Sequence, residues 1–159
     1  MTRSENIASR AKEVLLNGHW IANTNMKTQV QSVTWNEAIQ KVDSLNTIAA
    51  LTFHINYYLS GLVNVFEGGK LEIHDKFSFD APPIQSEEDW KKLVDDFLSN
   101  ATKFIEHIEK MNDSKLDEPF VDVNYGTYQR NIEGIIEHTY YHLGQISLIK
   151  KMVLTRFNK

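Results

Sequence analysis

The sequence predicts an all-α fold, specifically a four-helix bundle with long crossover loops. Apolar residues recur every three or four positions over four long segments, which is the period of an amphipathic helix. Gly and Pro are scarce, and Pro82, Pro83 and Pro119 fall outside those segments, where they mark loops. Four amphipathic helices without a convincing strand pattern are expected to bury their apolar faces against one another.

The first two predicted helices lie in the N-terminal half of the chain. Helix one covers about residues 4–16, and a polar connection follows over 23–32. Thr34 and Glu37 have the spacing of a capping box, in which each side chain satisfies a backbone donor of the first helical turn. They predict the start of helix two, whose apolar stripe continues over about 35–66.

The remaining two helices follow a crossover. Residues 70–85 contain aromatic and β-branched residues, and we expect a crossover loop with room for a short extended piece. Ser86 and Asp89 form the N-terminal signature of helix three, which ends before a loop at 112–122. Helix four covers about 127–154. The long connections leave the order of the helices in the bundle open.

Length, composition and charge exclude several classes of protein. The 159 residues suit one domain, spanning 1–159. The chain has no Cys, which excludes disulfides and thiolate metal sites and suits a cytoplasmic location. A net charge of −4 argues against a nucleic-acid partner. No apolar run approaches the roughly 20 residues that span a bilayer, so no membrane association is expected.

A pair of histidines on helix four is the strongest candidate for chemistry. His138 and His142 are four residues apart, so their side chains lie about one helical turn apart on nearly the same face. His142 is in phase with the apolar stripe through Ile135 and Ile146, and His138 lies beside that stripe. Both are expected to point into the bundle, where buried imidazoles need polar partners or a metal ion.

His54, in the middle of helix two, is the best candidate for a third ligand. Ala50 and Gly61 are small and leave room near it. Three histidines around one divalent ion leave a fourth position open, as in catalytic zinc sites. The alternative is that the histidines are ordinary core residues, packed against Tyr140 or Tyr141. The zincin motif H-E-x-x-H is absent, so its general base is absent too.

Other polar residues are weaker candidates. His19 lies at the end of helix one, His74 lies in the crossover, and His107 is out of phase with the apolar stripe of helix three. Glu137 points roughly 100° away from His138 and is expected to be solvated. Glu67, Asp43 and Asp122 are candidates for supporting hydrogen bonds, and one of the tyrosines that flank the histidines could donate a hydrogen bond in the pocket: Tyr57, Tyr58, Tyr140 and Tyr141.

The histidine pattern resembles that of a known family. One His in helix two, followed about 80 residues later by His-x-x-x-His-x-Gly-Gln, resembles the DinB/YfiT-like superfamily. The motif here consists of His54, His138, His142, Gly144 and Gln145. The Gly-His-Trp sequence at 18–20 and the Asn-Tyr-Gly-Thr sequence at 124–127 resemble that family as well. The resemblance covers nearly the whole chain.

This resemblance implies a four-helix bundle that holds a divalent metal, zinc or nickel in many members, on His54, His138 and His142. It also implies a close helix contact at Gly144. Some relatives transfer or isomerise groups with low-molecular-weight thiols such as bacillithiol, mycothiol or glutathione, and dimers are common. We therefore expect a metal-dependent enzyme acting on a small molecule as transferase or hydrolase, and a homodimer. The alternative is a non-catalytic metal- or ligand-binding bundle of a stress response.

Overall fold

The predicted all-α class is confirmed. The computed structural model describes residues 1–157, with side chains through Arg156, and this part of the chain contains helices and no strands. The seven α-helices are α1 (Arg3–Lys12), α2 (Met26–Gln31), α3 (Trp35–Ala38), α4 (Ile48–Phe66), α5 (Glu87–Glu109), α6 (Asp113–Leu116) and α7 (Tyr128–Phe157). A π-helical turn, Glu13–Asn17, extends α1.

The long helices pack around one hydrophobic core. Helix α4 packs against α5 and α7, and α1 packs against α5 and, to a lesser extent, α7. Their facing stripes bury apolar side chains completely, because each helix is amphipathic with the helical period. The largest fully buried side chains of the core, including two from the short helices α2 and α6, are Phe97, Phe104, Leu15, Met26, Ile48, Leu51, Ile55, Leu59, Ile108, Leu116, Ile132 and Leu143.

The prediction of a single helix over residues 35–66 was wrong, because the structure has two separate helices there, α3 and α4. Helix α3 is one turn long, and turns and irregular backbone separate it from α4. Asp43 lies in this break with φ +48°, a left-handed conformation that Asp tolerates better than most residues. Thr47 then starts α4, since its side-chain oxygen accepts a hydrogen bond from Ala50 N at 3.0 Å.

Three connections contain more structure than the sequence predicted. The polar stretch 23–32 includes α2, which buries Met26 and Val30, and the loop 112–122 includes α6. The crossover 70–85 has no strand and instead contains a 3₁₀ turn, Asp75–Phe77. These pieces are too short for a hydrophobic period to reveal them.

Helix α7 dominates the C-terminal part of the fold. At 30 residues it is about 45 Å long and passes beside both α4 and the π-helical turn. Its long, regular course allows residues four apart to present their side chains to one neighbouring helix. Within the described residues, no helix combines the length and apolar character needed to cross a membrane.

Candidate metal centre

Three histidines from two helices meet at one point. His54 lies on α4, and His138 and His142 lie one turn apart on α7. Nε2 of His138 lies 3.1 Å from Nε2 of His54 and 2.9 Å from Nε2 of His142. All three ligand nitrogens lie within 4.8 Å of one another, which makes this group able to hold a metal ion.

The packing of α4 against α7 accounts for this meeting. His54 and His142 retain only 7% and 6% exposure because both lie on the faces that the two helices turn to each other. His138 is half-buried, on the edge of that contact. His138, which the sequence places beside the apolar stripe, is thus the one that also faces a cleft.

Hydrogen bonds at Nδ1 set the protonation of two of the rings. Nδ1 of His54 lies 3.1 Å from the backbone oxygen of Ser78, and Nδ1 of His142 lies 2.6 Å from Oε1 of Gln145. Both partners are acceptors, so Nδ1 is the donor in each ring and Nε2 carries a lone pair. This is the arrangement by which supporting acceptors orient metal-binding histidines.

The Nε2 atoms cannot satisfy one another by hydrogen bonding alone. A hydrogen on Nε2 of His138 can point to His54 or to His142, but not to both. At least one pair of nitrogen lone pairs then faces each other without a hydrogen between them, in surroundings that exclude much of the water. A cation between the three nitrogens would remove this conflict.

The distances agree with the size of a small divalent ion. Two nitrogens that bind one ion at about 2.1 Å lie about 3.0–3.4 Å apart for angles between 90° and the tetrahedral value. The two distances from His138, 3.1 and 2.9 Å, are close to that range. The third pair of ligand nitrogens, on His54 and His142, lies within 4.8 Å.

Burial keeps the three imidazoles neutral. It lowers the pKa of His138 to about 4, and the positive charges that His142 and His54 would carry lower this pKa further. Burial likewise lowers the pKa of His54, against the hydrogen bond to Ser78, and that of His142, against the hydrogen bond to Gln145. Neutral imidazole is the form that binds metals, so the site is in its binding form near pH 7.

Aromatic side chains enclose the histidines. Phe79, from the crossover, stacks on His54 with ring centres 4.0 Å apart. Tyr58 presents its ring nearly perpendicular to both His54 and His138, at 5.2 Å from each. These contacts restrict rotation of the imidazoles and hold the ligand nitrogens in place.

A cleft of about 630 Å³ opens beside His138. We call it the His138 cleft. Its walls come from α4, α7, the crossover and the segment before α7. They consist of Tyr58, Leu62, Leu71, Ile73, His74, Asp75, Phe120, Tyr125, Arg130, Asn131, Gly134, Ile135 and His138. Of the three histidines of the candidate metal centre, His138 is the one that lines it, so the centre has one side facing a space for small molecules.

The other predicted candidates lie in varied places. His19 is exposed, His107 is half-buried against Phe66, and His74 lines the His138 cleft. Glu137 is exposed, as expected, and pairs with Arg130.

The carboxylates suggested as supporting partners do not serve the site. Glu67 pairs with Lys103, Asp43 lies near Arg156, and Asp122 caps the short 3₁₀ turn before α7. Each of them bonds to a group outside the three histidines. The supporting acceptors at Nδ1 are Ser78 and Gln145 instead.

The close helix contact expected at Gly144 is absent. Gly144 is exposed, and no atom lies within 4 Å of where a Cβ would stand. Gln145, its neighbour in the motif, has the structural role instead, through His142.

Sequence reasoning missed the contribution of the crossover. The Ser78 carbonyl, the Phe79 ring and the Asp75 carboxylate all approach the site from this segment, for which the sequence predicts only a loop with room for a short extended piece. A backbone acceptor leaves no trace in the residue type, so Ser78 could not have been identified. The available signal was the presence of two aromatic residues, Phe77 and Phe79, in a segment that has no amphipathic period to explain them.

Comparisons with protein-family models, curated proteins and solved structures find no match to this chain. The function is therefore inferred from the geometry of the three histidines and of the space beside them.

Proposed function

We propose that the protein binds one divalent metal ion through His54, His138 and His142 and uses it in catalysis. The observation that carries this proposal is the convergence of three Nε2 atoms, two of which are fixed as lone-pair donors by the acceptors at Nδ1. The same three side chains without a metal would hold unpaired lone pairs at close range in a largely buried place. This supports the metal over the alternative of plain core packing.

The ion we propose is zinc or nickel. Both accept imidazole nitrogen, and the absence of Cys removes the softer thiolate ligands. When bound, such an ion supplies Lewis acidity, which lowers the pKa of a water or thiol that it contacts. The chain itself orients the imidazoles, keeps them neutral and restricts access to the side of His138.

An open coordination position favours catalysis over a structural role. Structural zinc sites are normally closed by four protein ligands. Among the described residues, the group that converges here consists of three histidines, and one of them faces the His138 cleft. The cleft could admit a small substrate to the remaining position, and we propose a transferase or hydrolase reaction. A low-molecular-weight thiol is the cosubstrate that the resemblance to the DinB/YfiT-like superfamily suggests.

Membership of that superfamily is part of the proposal, as is its four-helix bundle with crossover loops. The spacing of His54, His138, His142 and Gln145 supports it, together with four long helical segments around one core. We propose a homodimer on the same resemblance. The proposed cytoplasmic location rests on the lack of Cys.

The decisive experiment is metal analysis by mass spectrometry of tag-free protein incubated with zinc or nickel and freed of excess. We expect about one equivalent in the parent protein. The His142→Ala variant should hold almost none, because it loses one of three ligands and the ring that Gln145 orients. The matched control is His19→Ala, which removes an exposed imidazole and should retain the parental metal content.

Two results would contradict the proposal. One is a folded parent protein that takes up no metal after incubation. The other is equal loss of metal in His142→Ala and His19→Ala, which would indicate adventitious surface binding. Binding of azide to the cobalt-substituted protein, seen by visible absorption, then tests the open position. An unchanged spectrum at saturating azide would favour a closed, structural site.

A further inference from the structure

We propose that the His138 cleft binds an elongated amphipathic carboxylate, with its carboxylate at Arg130 and its other end at His138. This deepens the proposed function by naming a substrate class, and it rests on that function only for what happens at the histidine end. Three features of the cleft support it: apolar side chains in its walls, charges of both signs among its lining residues, and open space beside Gly134.

The apolar part of the cleft wall comes from four parts of the chain. Leu62 and Ile135 extend from the two helices that carry the histidines, Leu71 and Ile73 come from the crossover, and Phe120 comes from the segment before α7. Such a lining favours an apolar body, because burying hydrocarbon surface is favourable and leaves no polar group unpaired.

Arg130 and His138 both line the cleft. The two residues are eight positions apart on α7, so their backbones are separated by about 12 Å along the helix axis, and the Arg130 side chain extends along that axis to Glu137. The contact of Arg130 with Glu137 at 3.0 Å uses Nη1, and a guanidinium carries five N–H donors. The side chain can therefore hold Glu137 and still donate to a ligand carboxylate.

A negative group, Asp75, also lines the cleft and lies near His138 through Tyr58. Asp75 accepts a hydrogen bond from the Tyr58 hydroxyl at 2.8 Å, and the ring of Tyr58 packs against His138. Asp75 is thus one tyrosine ring away from the histidines, and it lines the same cleft as Arg130. A carboxylate ligand would be repelled by Asp75 and attracted by the N–H donors of Arg130 that Glu137 leaves free, which favours a position of the carboxylate at Arg130.

Gly134 leaves free space in the cleft between Arg130 and His138. It lies on α7 midway between Arg130 and His138, at intervals of four residues, and it lines the cleft. No atom lies within 4 Å of where its Cβ would stand, so the space beside it is free for a ligand. The ligand class that fits is a linear or aryl monocarboxylate long enough to reach from Arg130 to His138.

Calorimetric titration of the full chain with octanoate and with octanamide tests this proposal. The two probes share the same apolar chain, and only octanoate is charged. In the parent protein we expect octanoate to bind about tenfold more tightly than octanamide. Arg130→Gln should abolish this preference and leave octanamide binding unchanged, while the control Arg156→Gln, another exposed arginine, should keep the parental preference.

Filling the cleft tests its location. Gly134→Phe places a ring in the free space and should weaken both probes by more than about tenfold, whereas Gly134→Ala should change either by less than about twofold. Circular dichroism checks that both variants are helical. Parental octanoate affinity in folded Gly134→Phe overturns the proposal. If that variant does not fold, a preference for octanoate that survives Arg130→Gln overturns it independently.

The outcome is separable from that of the metal proposal. Titrations are run on protein treated with a chelator and on zinc-loaded protein, and also on His142→Ala. A parent protein that takes no metal but binds octanoate through Arg130 and Gly134 leaves this proposal standing and removes the metal. A parent protein that binds zinc, but binds octanoate neither after chelator treatment nor when zinc-loaded, removes this proposal and leaves the metal proposal standing.

Discussion

Nδ1 of His142 lies 2.6 Å from Oε1 of Gln145, three residues later on the same helix. The amide oxygen accepts the Nδ1 hydrogen and leaves Nε2 free to face His138. Gln145 is not a candidate ligand, but it determines the protonation and the orientation of His142, which is one.

The first prediction concerns that amide. Gln145→Leu keeps a similar shape but removes the acceptor, so His142 can turn or take the other protonation. Zinc affinity, measured by competition with a chromophoric chelator, should fall about 10- to 100-fold. Gln145→Glu keeps an acceptor at the same place and should bind zinc at least as tightly as the parent protein. Equal zinc affinity in Gln145→Leu and Gln145→Glu would show that the hydrogen bond to His142 does not affect metal binding.

The second prediction is that metal stabilises the fold. An ion that binds the folded chain at about 100 times its dissociation constant contributes about 2.7 kcal/mol. For a chain of this size the melting temperature should rise by roughly 5–10 °C. Differential scanning calorimetry with and without zinc measures it, with magnesium as a control because imidazole sites bind it poorly. His142→Ala should show no such rise, and an equal rise in that variant would contradict the site.

The sequence specified the histidine centre better than it specified the helices. His54 could be placed with His138 and His142 because one periodic pattern surrounds each of them and because imidazoles in a core need partners. The break before α4 was missed, since Ile39, Val42 and Leu45 continue the apolar stripe by spacing alone. Val42 is indeed buried, whereas Leu45 is 41% exposed on a turn.

The crossover illustrates a different limit. Its order comes from contacts with distant residues: the hydroxyl of Tyr57 bonds both the backbone nitrogen and oxygen of His74, and Ile73 packs onto Gly61. No local period or turn signature specifies such contacts, so tertiary packing alone determines this segment. The His138 cleft, which the crossover helps to form, was for that reason invisible in the sequence.

The third prediction tests the break in the predicted second helix. Thr47 caps α4 through its side-chain oxygen, so Thr47→Ala should lower the free energy of unfolding by about 1 kcal/mol. Thr47→Ser retains the oxygen and should lie within a few tenths of a kcal/mol of the parent protein. Urea denaturation compares the three. A harmless Thr47→Ala would indicate a helix that continues through this position, as the periodicity alone predicts.

The fourth prediction contrasts two glycines within helices. Gly144→Ala should raise the free energy of unfolding by about 1 kcal/mol, since nothing contacts the new methyl group and alanine favours the helix. Gly61→Ala should lower it, because its Cβ would stand 2.6 Å from a side-chain carbon of Ile73 and would displace the crossover. Urea denaturation measures both. Destabilisation by Gly144→Ala would instead indicate the close helix contact at Gly144 that the family resemblance implies.

The fifth prediction is the pH dependence of the metal-free protein. Burial lowers the pKa of His138 from the ordinary 6.5 to about 4, and it lowers the pKa of His54 and of His142 as well. Between pH 6.5 and about 4 the unfolded chain therefore binds more protons than the folded chain. The stability contributed by these neutral imidazoles is fully present above pH 6.5 and is lost as the pH falls through this window.

We expect the loss from His138 to be on the order of 1–2 kcal/mol, since partial access of water screens its surroundings. Urea denaturation with a chelator present, at several pH values from 7.5 to 4.5, measures the slope. His138→Gln removes one titrating group and should flatten it, while His19→Ala, which alters an exposed imidazole, should not. An identical slope in His138→Gln and in the parent protein would contradict a His138 imidazole that folding keeps neutral.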